Sequence, residues 1–329
     1  MNLATLKKAA GFYGRFLLSF SAIGYRWRAL FWKPFAPNFA DQTWVVTGAT
    51  GGIGRAIVDG AVRGGATVYA LARDRQKLER LASETPGPGR VVIVPVDLSL
   101  VADTRRAAAD LIARGAKIDV LVNNVGVLLD DLSVTSEGFE TSYATNLLNH
   151  WVLTQALIEA DAFAGAGTVI EMSSGGMYNA PLMLEYMGMK NPKKYNGVFA
   201  YAVHKRGQAE LVKYWQERYG DRGLRFYVMH PGWADTEGVK TSMPNFRRRL
   251  RVVLRNSAQG ADTALWLAAT RPAQPGPEAF WFDRAPRPAH AFAHTAVTKH
   301  TSADLATFLA KEAANATASN TEPQRSVMS

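Results

Sequence analysis

Residues 43–74, TWVVTGATGGIGRAIVDGAVRGGATVYALARD, decide the fold. A β-branched run leads into a glycine-rich turn, a helix-like stretch follows, and a second apolar run covers Thr67 to Leu71. That order predicts a β-α-β unit. Its turn sets Gly48, Gly52 and Gly54 in the spacing Thr-Gly-x-x-x-Gly-x-Gly, which starts at Thr47 and includes Ile53. Lacking a Cβ, these residues let the chain turn tightly and let a pyrophosphate approach the backbone at a helix N-terminus, whose dipole favours an anion. Glycine marks many tight loops, so the weight lies in the context, a strand before and a helix after.

The second strand ends in LARD. A carboxylate at that end would bind a ribose 2′-hydroxyl and select NAD, whereas the guanidinium of Arg73 offers a fork of donors to a 2′-phosphate. NADP is therefore the expected cofactor and NAD the less favoured one. The bland reading of Arg73 is a solvated side chain beside Asp74.

Strand and helix signals keep alternating. VVIVPVDLS reads as a strand ending near Asp97, Thr104 to Arg114 as a helix, IDVLVNNVG as a strand, YATNLLNHWVLTQALI as a helix and GTVIEMSSGG as a strand. YAVHKRGQAELVKYWQERYG follows as a helix, then LRFYVMHPGWADT as a sixth strand with its loop, and AFWFD as a seventh. The expected fold class is α/β, a Rossmann-type doubly wound parallel sheet of about seven strands, with ligands at the strands' carboxyl ends. One domain over residues 41–312 is expected, with an inserted lobe before the YAVHK helix, an N-terminal extension (1–40) and a small, polar, disordered tail (313–329).

With 329 residues, 47% of them hydrophobic, the chain is long enough for such a domain. Cysteine is absent, so disulfides, thiolate metal sites and a cysteine nucleophile are excluded. No His-x-x-x-His pair lies on a helical stretch, His290, His294 and His300 fall in a Pro- and Thr-rich region where solvated surface histidine is the bland reading, and no metal site is expected. The net charge of +10 is local: Lys7, Lys8, Arg15, Arg26, Arg28 and Lys33, with Arg247, Arg248, Arg249, Arg251 and Arg255, leave 27 basic against 28 acidic residues elsewhere. With no recognition-helix, finger or RNA-binding signature, nucleic acid is not an expected partner.

In GFYGRFLLSFSAIGYRWRALFWKPF the longest uncharged run is the ten residues from Phe16 to Tyr25, too short to span about 30 Å of bilayer. Wound as one helix, Lys8, Arg15, Arg26 and Lys33 fall within about 20° of each other, while Tyr13, Phe16, Leu17, Phe20, Trp27 and Phe31 gather on another face. Three readings stay open: an interfacial helix on a membrane, a segment packed on its own domain or on a second copy, and a cleaved signal. The expected location is cytoplasmic and peripheral at a membrane surface.

Two Tyr-x-x-x-Lys pairs compete downstream, Tyr186 with Lys190 and Tyr201 with Lys205. Residues four apart meet only on a continuous helix. YMGMKNPKK has Gly188 inside the turn and Pro192 just after it, so no helix extends beyond Lys190. YAVHKRGQAELVKYWQERY continues for several turns to Gly220, and the working pair is Tyr201 and Lys205. A tyrosine with a pKa of about 10 becomes a useful proton donor to a carbonyl when a cation beside it pulls that value down, and Lys205 is the expected cation.

TGATGGIG, Asp97, NNVG (123–126), Asn146, Ser174, YAVHK and PGWADT, in this order, resemble the short-chain dehydrogenases/reductases over about Asp41 to Phe282. Within them, the long interval from Ser174 to Tyr201 and KYNGVFAYAVHK resemble the retinol-dehydrogenase-like branch, and SSGGM, YAVHKR and MHPGWADTEGV are similar to the dehydrogenase/reductase family member 12 group. The resemblance implies that Ser174 hydrogen-bonds the substrate oxygen, that Lys205 holds the nicotinamide ribose, and that Asn146 positions a water between Lys205 and solvent. It further implies that Asp97 and Leu98 sit at the adenine end, that Asn123 and Gly126 line the cofactor floor, and that Pro231, Gly232 and Thr236 close over the nicotinamide. Homo-oligomers are usual for this family and one is expected here. Met177, Leu182, Met183, Leu184, Met187 and Met189 either wall an apolar substrate site or only bury the lobe. The expected activity is NADP(H)-dependent carbonyl reduction or alcohol oxidation on an apolar, lipid-like substrate. Its alternatives are an NADP-binding sensor without turnover and a non-redox, epimerase-type reaction that retains the cofactor.

Overall fold

The structure, a computed structural model, describes residues 14–242, 244–276 and 279–318. Eight strands form one sheet: β1 (Thr43–Thr47), β2 (Thr67–Ala72), β3 (Arg90–Pro95), β4 (Ile118–Asn123), β5 (Phe163–Met172), β6 (Arg225–Met229), β7 (Ala279–Phe282) and β8 (Ala285–Pro288), in spatial order 3-2-1-4-5-6-7-8. The first seven run parallel. The eighth, beyond the seven expected, pairs antiparallel with β7. APRP carries two prolines and no alternation, so as an edge strand it gives no strand signal.

The helices are α1 (residues 14–20), α2 (Ala22–Ala29), α3 (Gly52–Arg63), α4 (Arg75–Glu84), α5 (Val101–Ala113), α6 (Thr141–Tyr143), α7 (Asn149–Glu159), α8 (Gly197–Tyr219), α9 (Glu237–Ser242), α10 (Pro244–Leu250), α11 (Ser257–Thr270) and α12 (Ser302–Ala318). Ile57 of α3, Leu78 of α4 and Leu267 of α11 bury against one face of the sheet with Val46, Val68 and Met229. Leu111 of α5, Leu157 of α7, Leu211 of α8 and Leu309 of α12 bury against the other with Val45, Leu121 and Val169. Fully burying such side chains contributes about 1.5–3 kcal/mol each. The order reverses between β1 and β4, where a doubly wound sheet opens its ligand crevice.

Residues 313–318, expected in the tail, instead complete α12 and bury Ala313 and Ala316; the rest of that tail lies outside the described residues. Alanine is the best helix former, which the small, polar composition had masked.

The N-terminal segment is not one helix either. It breaks at Ser21, whose backbone is extended and whose hydroxyl donates to the Leu18 carbonyl at 2.8 Å. A single helical wheel therefore does not apply across it, and Lys7, Lys8 and Tyr13 lie outside the described residues. Phe16 and Phe20 turn inward, with Phe16 stacked on Tyr178 at 5.4 Å and Phe20 edge-on to His230 at 4.2 Å and Phe282 at 5.2 Å. Leu18, Ile23, Trp27, Leu30 and Phe31 stay exposed. Two of the four described aromatic residues of that face, Phe16 and Phe20, thus pack on their own domain.

Candidate active site

At the carboxyl end of β1 the chain turns through Gly48 (φ +63°) into α3. A Cβ on Gly54 would stand 2.2 Å from the Gly48 carbonyl oxygen, so only glycine lets α3 start this close to the turn. The first turn of α3 has no side-chain cap at Gly51, which leaves its N–H groups for an anion. Gly48, Gly52, Ile53, Gly54, Arg73, Gly126, Tyr201, Lys205, Pro231 and Thr236 all line one cleft of about 440 Å³. A neighbouring hollow of about 300 Å³, reached past Gly48 and Arg73, is lined by Asp97, Leu98 and Lys77. The two share Gly48, Thr50, Arg73 and Val125 and so adjoin as one groove, with the uncapped N-terminus of α3 on their wall as a donor set for a phosphate.

Arg73 is exposed at the end of β2, and Lys77 stands one turn along α4. The neighbouring Asp74 caps α4, accepting from the Lys77 backbone N–H at 3.0 Å. Sequence reasoning missed Lys77, which a helix signal starting after Asp74 would have put beside Arg73.

Three expected cofactor contacts lie behind the groove rather than in it. Thr47 is buried, and its hydroxyl accepts from the backbone N–H groups of Asn124 (2.9 Å) and Val125 (3.0 Å), tying β1 to β4. Asn123 is wholly buried and donates to Thr154 at 2.8 Å; Asn124, the first residue past the end of β4, lines the cleft instead. Gly232 (φ +76°) packs under Arg255, whose Nε would lie 2.3 Å from an added Cβ.

Tyr201 and Lys205 share one face of α8, which Asn196 caps by accepting from Phe199 N–H at 2.9 Å. The Ser174 side chain stands near enough to the Tyr201 hydroxyl to favour its ionised form, and Lys205 Nζ lies 5.4 Å from the centre of the Tyr201 ring. Ser173 is buried and spends its hydroxyl on the Lys205 carbonyl at 2.8 Å, which leaves Ser174 facing the tyrosine. Tyr186 packs edge-on against Phe199, and Lys190 reaches the Gly138 carbonyl, so that second pair is apart from the groove.

The electrostatics depart from expectation. Burial raises the Tyr201 phenol above its ordinary value, opposed in part by the Ser174 side chain. Burial lowers Lys205 itself to about 8, against the upward influence of Glu171. Lys205 donates to the Met172 carbonyl at 2.9 Å.

Asn146 sits in a single π turn, Ala144–Leu148, between α6 and α7. Its side-chain oxygen accepts from Val127 N–H and its amide donates to the Val127 carbonyl, both at 2.7 Å, which pins the strand-four loop beside Lys205. Of the lobe's apolar residues, Met177, Leu182 and Met187 are core rather than cleft wall.

The family described as short chain dehydrogenase matches residues 42–245. Dehydrogenase/reductase SDR family member 12 of Bos taurus is 33% identical over 298 residues, covering 87% of this chain and 90% of that protein. Retinol dehydrogenase 12 of Mus musculus is 30% identical over 236 residues, covering 70% and 74%. Among solved structures, an uncharacterized protein from Mycobacterium paratuberculosis superposes with a TM-score of 0.62 at 25% identity over 85% of this chain and 93% of that one. A chain from Beutenbergia cavernae described as an NAD(P)-dependent gluconate 5-dehydrogenase, with NADP bound at low occupancy, gives 0.56 at 26% identity over 70% and 91%. The chain belongs to the short-chain dehydrogenases/reductases, in their retinol-dehydrogenase-like branch, a family of oxidoreductases that interconvert alcohols and carbonyls.

Proposed function

We propose that the protein is an NADP(H)-dependent oxidoreductase that interconverts an apolar alcohol and its carbonyl, with Tyr201 as acid and base. The observation that carries this reading is that Tyr201 and Lys205, on one helix face, line the same groove as the glycine turn of Gly48, Gly52 and Gly54. In the reducing direction Ser174 donates a hydrogen bond to the substrate oxygen and Tyr201 gives that oxygen a proton. The nicotinamide, when bound, supplies the hydride to the carbonyl carbon. The Lys205 ammonium, on the same helix face, stabilises the phenolate left behind. Gly48, the α3 N-terminus and Lys205 hold the dinucleotide, and Arg73 with Lys77 favours a 2′-phosphate. An apolar substrate is supported by a relative bearing the name retinol dehydrogenase, since retinol is an apolar alcohol. NADPH oxidation against apolar aldehydes and ketones, with NADH as control, tests the reading; NADPH binding without turnover of any of them would favour a sensor.

A second reading concerns location, and we propose that the chain docks peripherally on an anionic membrane. No helix among the described residues is long and apolar enough to cross one. Ile23, Trp27, Leu30 and Phe31 recur along one exposed side of α2 and the turn after it, flanked by exposed Arg26 and Lys33. The Ala22 N–H donates to the Val253 carbonyl at 2.8 Å, which sets this ridge beside exposed Arg248, Arg249, Arg251 and Val252. Aromatic residues among cations suit an anionic headgroup layer. Flotation with phosphatidylserine-containing vesicles is expected to carry the wild type but not Trp27→Ser/Phe31→Ser; equal flotation of both would refute the docking surface.

A further inference from the structure

Behind the catalytic helix lies a buried polar cluster that the proposed proton transfer does not use. Glu171 of β5, His150 of α7 and Gln208 of α8 are each at most 1% exposed. Both Glu171 oxygens approach His150 Nδ1, at 2.7 and 3.1 Å. On the other side of the ring, His150 Nε2 lies 3.0 Å from the Val125 carbonyl, which can only accept, so Nε2 carries a hydrogen. One further proton then belongs to the 2.7 Å contact between Nδ1 and Glu171, on whichever atom holds it, because an unprotonated nitrogen and a carboxylate would meet there as two acceptors. Gln208 Nε2 donates to the Asn146 carbonyl at 2.8 Å and lies 3.1 Å from His150 Nδ1.

Each arm of the cluster ends on a part of the active site. Val125 lines the groove, and a Cβ on the next residue, Gly126, would lie 3.2 Å from Lys205 Nζ and 3.4 Å from Asn146 Oδ1. The carbonyl that holds Lys205 belongs to Met172, the residue after Glu171. An apolar trio would fill the same space without the cost of burying three polar groups.

We propose that Glu171, His150 and Gln208 are positioning residues of the hydride-transfer site: His150 fixes the cofactor floor at Val125, Gln208 fixes the π turn at Asn146, and Glu171 anchors His150 to the strand end whose next residue, Met172, holds Lys205. The proposal rests on the oxidoreductase reading for its purpose, but not for its test. Among the described residues, Glu171 is the charge that acts on Lys205, while His204, the next residue on α8, is held uncharged by burial. Tyr201 is the remaining titratable group facing Lys205 from the same helix.

The test follows the Lys205 ammonium directly by lysine-selective NMR over pH, in the full chain with NADP added, using Lys205→Met to assign the signal. Glu171→Gln, which keeps the shape and removes the charge, is expected to move the Lys205 titration down by about one unit, a tenfold loss of cation at a given pH. Glu171→Asp is expected to restore it. His150→Asn removes the ring that joins Glu171 to the Val125 carbonyl and is expected to shift the titration as well. A titration unchanged in Glu171→Gln, or, should that variant not fold, in His150→Asn, would overturn the proposal. A chain that shows these shifts yet reduces no carbonyl would leave the cluster standing and remove the oxidoreductase reading instead.

Discussion

Arg255 and Asp283 form a bidentate ion pair, 2.6 and 2.9 Å, with both side chains 1% exposed. Around it the chain is tied together. Arg255 Nε donates to the Phe20 carbonyl at 2.9 Å, Arg255 Nη2 to the Ser19 carbonyl at 3.1 Å and Nη1 to the Pro231 carbonyl at 3.3 Å, while Trp233 N–H donates to Phe20 at 2.9 Å. The N-terminal segment is thereby bonded to the loop that follows β6 at the groove. Asp283→Ala would leave the buried guanidinium unpaired, with Arg28 also losing its partner, and should destabilise the chain by ~3–5 kcal/mol in urea unfolding. A loss below ~1 kcal/mol would mean that the pair is solvated in solution.

Tyr201→Phe removes the proton donor while keeping the ring. Turnover of NADPH with any accepted carbonyl is expected to fall by at least ~10²-fold, with NADPH affinity retained. Tyr186→Phe should change little, since Tyr186 only packs on Phe199. Steady-state rates of the two variants separate the tyrosines, and the reverse pattern would move the chemistry into the lobe.

Arg73→Ser should lower the preference for NADPH over NADH by roughly tenfold to a hundredfold, the value of one hydrogen-bonded charge contact. Lys77→Ser should add to this loss. Ratios of kcat/KM for the two cofactors measure it, and an unchanged ratio would make Arg73 the solvated arginine of the bland reading.

Two histidines should make the fold acid-sensitive. Burial and the Lys205 charge lower His204 to about 3, and burial with Arg255 nearby puts His230 well below its ordinary 6.5. Below pH 6.5 the unfolded chain binds protons that the folded chain refuses, so this stability is fully present above 6.5 and declines as pH falls towards the folded values. Each contributes a slope of up to ~1.4 kcal/mol per pH unit. Urea midpoints between pH 7 and 4.5 are expected to fall, with a shallower fall in His204→Phe; parallel curves would show that other groups dominate.

A reductase acting through the Lys205 cation should slow as pH rises through about 8, where that cation is lost. A pH profile of kcat/KM for reduction that stays flat to pH 9.5 would remove Lys205 from the transition state.

What the residues determined unaided is what depends on neighbours in the chain. The glycine turn at Gly48 to Gly54, the alternation of strands and helices, and the long helix under Tyr201 and Lys205, which Tyr186 and Lys190 lack, follow from turn chemistry, periodicity and the proline at 192, all local causes. Tertiary packing decided the rest. Asn124 rather than Asn123 faces the groove because of where β4 ends in the sheet. Phe16 and Phe20 are core and Trp27 and Phe31 are surface because the helix breaks at Ser21 over aromatic partners more than 150 residues away in the chain. Glu171, His150 and Gln208 come from three separate elements, and none forms a motif with its sequence neighbours. A buried polar group must find a partner, and which partner the folded core brings within 3 Å is a property of the whole chain rather than of any stretch of it.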